Sequence, residues 1–399
     1  FIKSLNLNEL KVSNGEVISY ETEGIDHRAQ SNFKIDLLLP NVTIKNNELK
    51  QAQLSASNLI AKISEFKVPL GKTHDLKIGQ IDFNRSLQTI DIAQLKINPF
   101  LQKKQGNQFT VFAPQLNFTG FDINAALKEN DFSFDEIKVA TPDIAIEIND
   151  SVKGDKFEIA QNLDLFPIVE PYVNKINVNR LYLNNVDLKF NWFEKQLINK
   201  KINLNFWEIQ IGKNQITGNL LNSKEFEIST NNLKTTTKNN LYEFTVDSLI
   251  YNSAKHNILL KKLSVNPLLA KEEFPRQNGF QTDYLKAKTD FVELIDIDEN
   301  LWLKEKILDG KKIIVGESEV DIYRNKRYPF NVKQRPPWPQ DLIKEIIQPF
   351  IFDSVILVPS RIKYSELMDI SDEPGFIEFN NLTLKAGKIL YEKIISTLL

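Results

Sequence analysis

The sequence predicts a mainly β protein whose antiparallel strands are built into tandem repeats of ~170 residues, with a few short helices. Three observations carry that reading. Apolar residues alternate with a period of two along most of the chain, turn-forming pairs separate the alternating runs, and an ordered set of motifs occurs twice and begins a third time.

Ile144, Ile146 and Ile148 alternate with Ala145 and Glu147, and the pairs Leu76/Ile78, Ile90/Ile92 and Leu181/Leu183 repeat the spacing. Successive strand side chains point to opposite faces, so each run makes one apolar and one polar face. Asn14-Gly15, Asn46-Asn47, Asn231-Asn232 and Asn239-Asn240 supply turns. Strands joined by turns this short run antiparallel. Helical spacing is confined to three stretches. Residues 340–350 place Leu342, Ile343, Ile346, Ile347 and Phe350 on one stripe, with Asp341 as N-cap after Pro337 and Pro339. Residues 298–308 and 124–130 are the other two.

The repeat emerges when 75–100 is set against 243–268. At an offset of 168 (Pro99 to Pro267), Ile81 meets Leu249, Phe83 meets Tyr251, Ile90 meets Ile258, Ile92 meets Leu260 and Ile97 meets Val265. Downstream, an offset of 174 (Val139 to Ile313) aligns Ile146 with Val320 and Ile148 with Ile322. A third motif occurs three times, over 10–20, 181–190 and 355–364, and reads as strand, tight turn, strand. Self-similarity at a fixed period marks a repeat architecture. The expected units are copy one at 1–175, copy two at 176–350 and the start of a third at 351–399.

A length of 399 residues is enough for two or three domains. With 42% hydrophobic and 26% charged residues, the chain can bury a core. Lys and Arg number 50 against 52 Asp and Glu, a balance that argues against nucleic acid as partner. The absence of cysteine excludes disulfides and thiolate metal sites. No P-loop, G-x-G-x-x-G, H-E-x-x-H or G-x-S-x-G pattern occurs. Asp296-x-Asp298-x-Asn300 begins like a calcium loop but puts Leu301 where glycine is needed and Ile307 where the bidentate glutamate belongs, so a helix cap is the better reading. His27, His74 and His256 are scattered and read as loop or surface residues, and the four tryptophans as packing residues. No catalytic residue, cofactor or metal is expected.

The segment 353–366, DSVILVPSRIKYSE, followed by 373–382, EPGFIEFNNL, stands downstream of VNP at 265–267, EFP at 273–275, QTD at 281–283 and IYRNKR at 322–327. In this order the motifs resemble the AsmA-like family of large envelope proteins of two-membrane bacteria, over about 240–390. The resemblance implies a long, curved antiparallel sheet forming an open groove with an apolar lining. It also implies a non-enzymatic role, the binding or conduction of phospholipid between inner and outer membranes. Partners would then be phospholipid acyl chains, with membrane and envelope proteins at the ends. The implied location is the periplasm, with an inner-membrane anchor outside this chain.

The residues fit that implication without it. A sheet with one apolar face must cover the face or bind something apolar, and acyl chains suit it because apolar burial is non-directional. The expected lining comprises Ile144, Ile146, Ile148, Leu181 and Leu183 in copy one, with Val320 and Ile322 in copy two. Two alternatives stay open. The same residues would pack against a second sheet in a β-sandwich, or the repeats would form a scaffold or adhesin-like surface for a protein partner.

Overall fold

The computed structural model describes residues 4–23, 26–45, 59–70, 74–100, 108–148, 173–192, 195–213, 220–237, 240–299, 301, 307–330 and 349–391. The described strands form one mixed sheet of 19. The chain divides into two compact units, Phe1–Glu227 and Ile228–Leu399.

Unit 1 holds β1 (Ser4–Glu23), β2 (Asp26–Lys45), β3 (Ile60–Leu70), β4 (His74–Asn84), β5 (Thr89–Pro99), β6 (Gln108–Thr119), α1 (Ile123–Glu129), β7 (Asp131–Ala140), β8 (Asp143–Ile148), β9 (Lys175–Trp192) and β10 (Lys195–Gly212). β1 to β6 pair antiparallel, each with the next. β7 and β8 then share one place, both antiparallel to β6 and both parallel to β9. β10 returns antiparallel to β9.

A 3-10 turn (Leu220–Asn222) leads into β11 (Glu225–Thr236), which straddles the boundary of the units. Unit 2 continues with β12 (Tyr242–Asn252), β13 (Asn257–Pro267), α2 (Glu273–Asn278), β14 (Asp283–Ile295), β15 (Leu308–Val315), β16 (Ser318–Asn325), β17 (Phe350–Leu367), β18 (Gly375–Ala386) and β19 (Ile389–Tyr391). β12, β13 and β14 are antiparallel neighbours. β15 and β16 are antiparallel to β14 and parallel to β17, and β18 and β19 are antiparallel to β17.

The sheet is therefore mixed, which corrects the expectation of an antiparallel one. The physical reason is connection length. A parallel pair needs a crossover of about a dozen residues or more, and the chain between β8 and β9, and between β16 and β17, supplies over 20 residues each time.

The strand–turn–strand motif is also corrected. Each of its three occurrences lies inside one long strand, β1, β9 or β17. Asn14 and Asn185 take left-handed backbone angles within the strand, φ 55 and φ 53, and the pairing register shifts beside them. Asparagine tolerates that region in a bulge as well as in a hairpin turn. Asn232 does the same inside β11 at φ 56, and Asn46-Asn47 lies outside the described residues. Asn240 (φ 53) lies in the connection from β11 to β12, its N–H donating to the Thr237 carbonyl (2.9 Å). Two other hairpin turns span 85–88 and 253–256. In each an asparagine caps the turn, Asn84 Oδ1 accepting from Leu87 N (3.2 Å) and Asn252 Oδ1 from Lys255 N (3.0 Å).

Of the three expected helices, 124–130 is α1, capped by Asp122, whose Oδ1 accepts from Ala125 N at 3.2 Å. Asp298 caps in the same way, accepting from Leu301 N at 2.9 Å, while most of 298–308 lies outside the described residues. So does 340–348, and Phe350 opens a strand. α2 was not expected from the sequence. It is one short turn closed by left-handed Gly279 (φ 72). Among the described residues no helix is long and apolar enough to cross a membrane.

Candidate functional site

Strand registers line apolar side chains into rows. In unit 1 one row runs through Ile35, Ile63, Ile81, Ile92, Leu116, Val139, Leu183 and Leu204. Two residues along each strand, on the same face, a second row runs through Leu37, Ala61, Phe83, Ile90, Phe118, Ile137, Leu181 and Phe206. The residues between the two point the other way and are polar on β3 to β7, β9 and β10: Lys62, Asp82, Asp91, Asn117, Lys138, Tyr182 and Asn205.

A third row, Val68, Leu76, Ile97, Val111, Ile144 and Leu188, lies beyond a break in the alternation. Apolar residues step by three there, from Ile63 to Phe66, Ile78 to Ile81 and Ile92 to Leu95. In a regular strand such a step would change face. Left-handed Glu65 (φ 58) and Gln94 (φ 57) reverse the alternation and return the side chains to the first face. Between them in the ladder sits Gly79, where a Cβ would lie 2.9 Å from Gln94 Oε1. Pro114 occupies the next place, on β6.

Unit 2 carries the same kind of face. Its rows are Tyr251, Ile258, Leu294, Ile313, Val355 and Ala386; then Leu249, Leu260, Val292, Val315, Leu357 and Leu384; then Phe244, Val265, Ala287, Val320, Ile362 and Phe379. None of these residues is fully buried, and Leu384 and Phe379 are about half exposed, at 49% and 50%. The opposite face is polar along Thr245, Ser264, Lys288, Glu319 and Arg361, but Ile250, Leu259, Ile314 and Ile356 make part of it apolar.

The residues singled out in the sequence fall on these faces. Leu181 and Leu183 belong to the two central rows of unit 1 and Ile144 to the third, all half-buried. Ile146, half-buried, pairs with Phe109. Ile148 ends β8, and its side chain lies outside the described residues. Val320 lies in the third row of unit 2 and Ile322 in the next, with Leu285, Tyr364 and Ile377. The sequence reading missed most of the face, from β3 to β6 and from β12 to β14. The step of three was the available signal.

Cover is local. In unit 1, α1 contributes Ala126 to a buried cluster with Phe121, Phe134, Val178, Phe206 and Ile209. In unit 2, Phe274 of α2 is 0% exposed against Tyr242 and Tyr284, and Val320 and Ile322 pack against that cluster. The Tyr242 hydroxyl donates to the Asp283 carbonyl (2.7 Å) and accepts from Leu285 N (3.3 Å), and burial raises its pKa.

Beyond the row of Ile322, charge closes the unit 2 face. Arg324 donates two hydrogen bonds to Asp283, both 2.6 Å. Glu366, opposite Arg324, takes Lys326 at 2.6 Å and the Tyr364 hydroxyl. Burial works against the Glu366 charge, but these hydrogen bonds and the nearby Arg324 hold its carboxyl below the usual range.

Of the histidines, His74 corrects the expectation of a surface residue. It is 1% exposed, stacks on Phe109 at 3.9 Å, and burial lowers its pKa. His256 is exposed and meets Glu299 at 2.7 Å, with the Tyr251 hydroxyl on the same carboxylate oxygen. His27 has its side chain outside the described residues. Among the described residues no three His, Asp or Glu are grouped to hold a metal ion.

No family model, curated protein or solved structure matches the chain.

Proposed function

We propose that the chain is a non-enzymatic β-groove segment of an AsmA-like envelope protein that accommodates phospholipid acyl chains. The single observation that carries this is the incomplete burial of the aliphatic rows. Six of the eight residues in the first unit 1 row, and all of those in the three unit 2 rows, are neither buried nor paired with a covering sheet among the described residues. A contiguous apolar face left incompletely buried calls for a ligand or partner. Each methylene of an acyl chain that it dehydrates contributes about 0.8 kcal/mol.

The left-handed residues support a trough. In unit 1, Glu65, Gly79, Gln94 and Pro114 lie on one line across the strands, and Asn185 carries a bulge in β9. In unit 2, Asp247, left-handed Lys262 and Asp290 lie on a comparable line. A left-handed residue turns the strand locally, so irregularities placed at one level favour a sheet creased along that level.

Tandem repetition is part of the proposal, with a period of eight strands: β1, β9 and β17 correspond, and so do β4 and β12. Its support is local geometry. Asn84 and Asn252 cap like turns, which end in left-handed Gln88 and His256, and the carbonyls of these two accept from Phe121 N and Ile297 N. The rows favour an offset of 176 (Val139 to Val315) over 174 between α1 and β8, pairing Ile144 with Val320. Residues 174 apart there are both strand residues, so alternation alone could not reveal a slip of two.

The test is native mass spectrometry of the purified chain. Co-purified phospholipid, displaced by added fatty acid, is expected; lipid-free protein that binds none on addition defeats the reading. A second reading, a scaffold for a protein partner, draws on the end strand β18. Phe376 and Ile377 there are 62% and 60% exposed, apolar surface that a partner would cover.

A further inference from the structure

We infer that unit 2 also carries a binding site for a phosphoryl group, on the face opposite the apolar rows. The site is a cavity of about 290 Å³ into which three lysines converge: Lys286 from β14, Lys363 from β17 and Lys271 from the turn before α2. β14, β16 and β17 place it by register. Lys286, Asp321 and Lys363 are consecutive in one row, and Tyr284, Tyr323 and Ser365 in the next. These rows alternate along the strands with Leu285, Ile322 and Tyr364, which belong to the other face.

The charge is only partly compensated. Most lysines with an ion pair in this unit sit against one carboxylate each, as Lys288 does with Glu319 at 2.9 Å and Lys326 with Glu366 at 2.6 Å. Among the described residues Lys271, Lys286 and Lys363 make no ion pair within 4.0 Å. Asp321 and Glu378, the latter opposite Lys363 on β18, share Arg361 at 3.5 and 3.1 Å, and Glu272, beside Lys271, stands exposed. Two of the ammonium groups rest on aromatic rings instead, Lys271 on Tyr323 and Lys363 on Phe376, both at 4.3 Å.

A second observation points to a ligand. Tyr323 is only 5% exposed and lines the cavity, and its hydroxyl has no hydrogen-bond partner among the described residues. A buried hydroxyl without a partner costs about 1–3 kcal/mol, which a bound acceptor removes. Three ammonium groups around hydroxyl donors match a doubly charged tetrahedral anion better than a single carboxylate. Ile322 of the apolar face also borders the cavity, but the lysines and hydroxyls that would hold its ligand come from the opposite face or from the turn before α2. The phosphoryl group would belong either to a free phosphate or small phosphate ester, or to the headgroup of an anionic bilayer.

Isothermal titration of the full chain with inorganic phosphate and with glycerol 3-phosphate, at constant ionic strength, tests the site, beside flotation with phosphatidylglycerol and phosphatidylcholine vesicles. Saturable binding is expected. The double variant Lys286→Gln/Lys363→Gln should weaken it at least tenfold and Tyr323→Phe several-fold, while Lys288→Gln on the same face leaves it unchanged. Circular dichroism checks each fold, and the single lysine variants are read if the double one does not fold. Saturation by the soluble ligands identifies a small phosphate as the source. Lysine-dependent flotation on phosphatidylglycerol alone identifies a headgroup. No binding in any arm, or binding that survives the lysine variants, overturns the site.

Discussion

Ile92→Asp separates an open face from a closed core. Ile92 lies in the middle of the first unit 1 row, between Ile81 and Leu116, and is half-buried. Burying a whole isoleucine side chain contributes about 1.5–3 kcal/mol, so losing a half-buried one costs about 1–2 kcal/mol. On an open face the new carboxylate keeps its water, and that is the whole penalty. Under a second sheet the charge would be desolvated without a partner, at several kcal/mol more, against a total stability of about 5–15 kcal/mol. Phe206→Ala calibrates the comparison. Phe206 is 1% exposed in the cluster with α1, so its truncation costs about 3–5 kcal/mol. Urea unfolding of the three proteins gives the stabilities, and native mass spectrometry gives the bound phospholipid. The expected pattern is a small loss of stability with most lipid lost in Ile92→Asp, and a large loss of stability in Phe206→Ala. If Ile92→Asp proves as destabilising as Phe206→Ala, the face is a core and the groove is wrong.

Further outcomes follow from single contacts. Gly310→Ala would set a Cβ 2.6 Å from the Phe352 ring, itself 1% exposed, so a loss of about 1–3 kcal/mol is expected in denaturant unfolding. Tyr242→Phe leaves the Asp283 carbonyl and the Leu285 amide without their partner and should cost about 1–3 kcal/mol by the same measurement. Asp298→Ala removes the cap at Leu301 N and should cost about 1 kcal/mol. His74 gives a pH dependence. Burial lowers its folded pKa below the ordinary 6.5, so the unfolded chain binds the proton more readily. Its contribution is fully present above 6.5 and is lost as pH falls through that value towards the folded pKa. Thermal melts from pH 8 to pH 5 should show that slope, and His74→Gln should flatten it.

Strand content was legible because alternation is local, and the rows through Leu181 and Leu183 follow from it. Direction was not legible. Whether β7 and β8 run parallel or antiparallel to β9 depends on a crossover of more than 20 residues that leaves no mark in either strand. Asn14 and Asn185 misled for a different reason. One left-handed backbone angle serves a hairpin turn and a bulge equally, and only the partner strand decides which forms. His74 looked like a loop residue because its burial comes from Phe109, which is 35 positions away.

The step of three is the more instructive miss, since it was in plain view. Ile78 to Ile81 and Ile92 to Leu95 break the period of two at the same level of neighbouring strands, and Val246 to Leu249 and Leu260 to Leu263 do so in unit 2. Taken strand by strand, such a step scores as noise against alternation. Taken across a hairpin, the two breaks are directly opposite, with Gly79 facing Gln94 and Asp247 facing Lys262. Chance disorder in a pattern would not keep partner strands in step, because an uncompensated slip turns every later side chain to the wrong face. A coordinated break preserves the apolar face across the paired strands. Left-handed Gln94 and Lys262 mark the break in the two units, and a bend there would serve the groove proposed above.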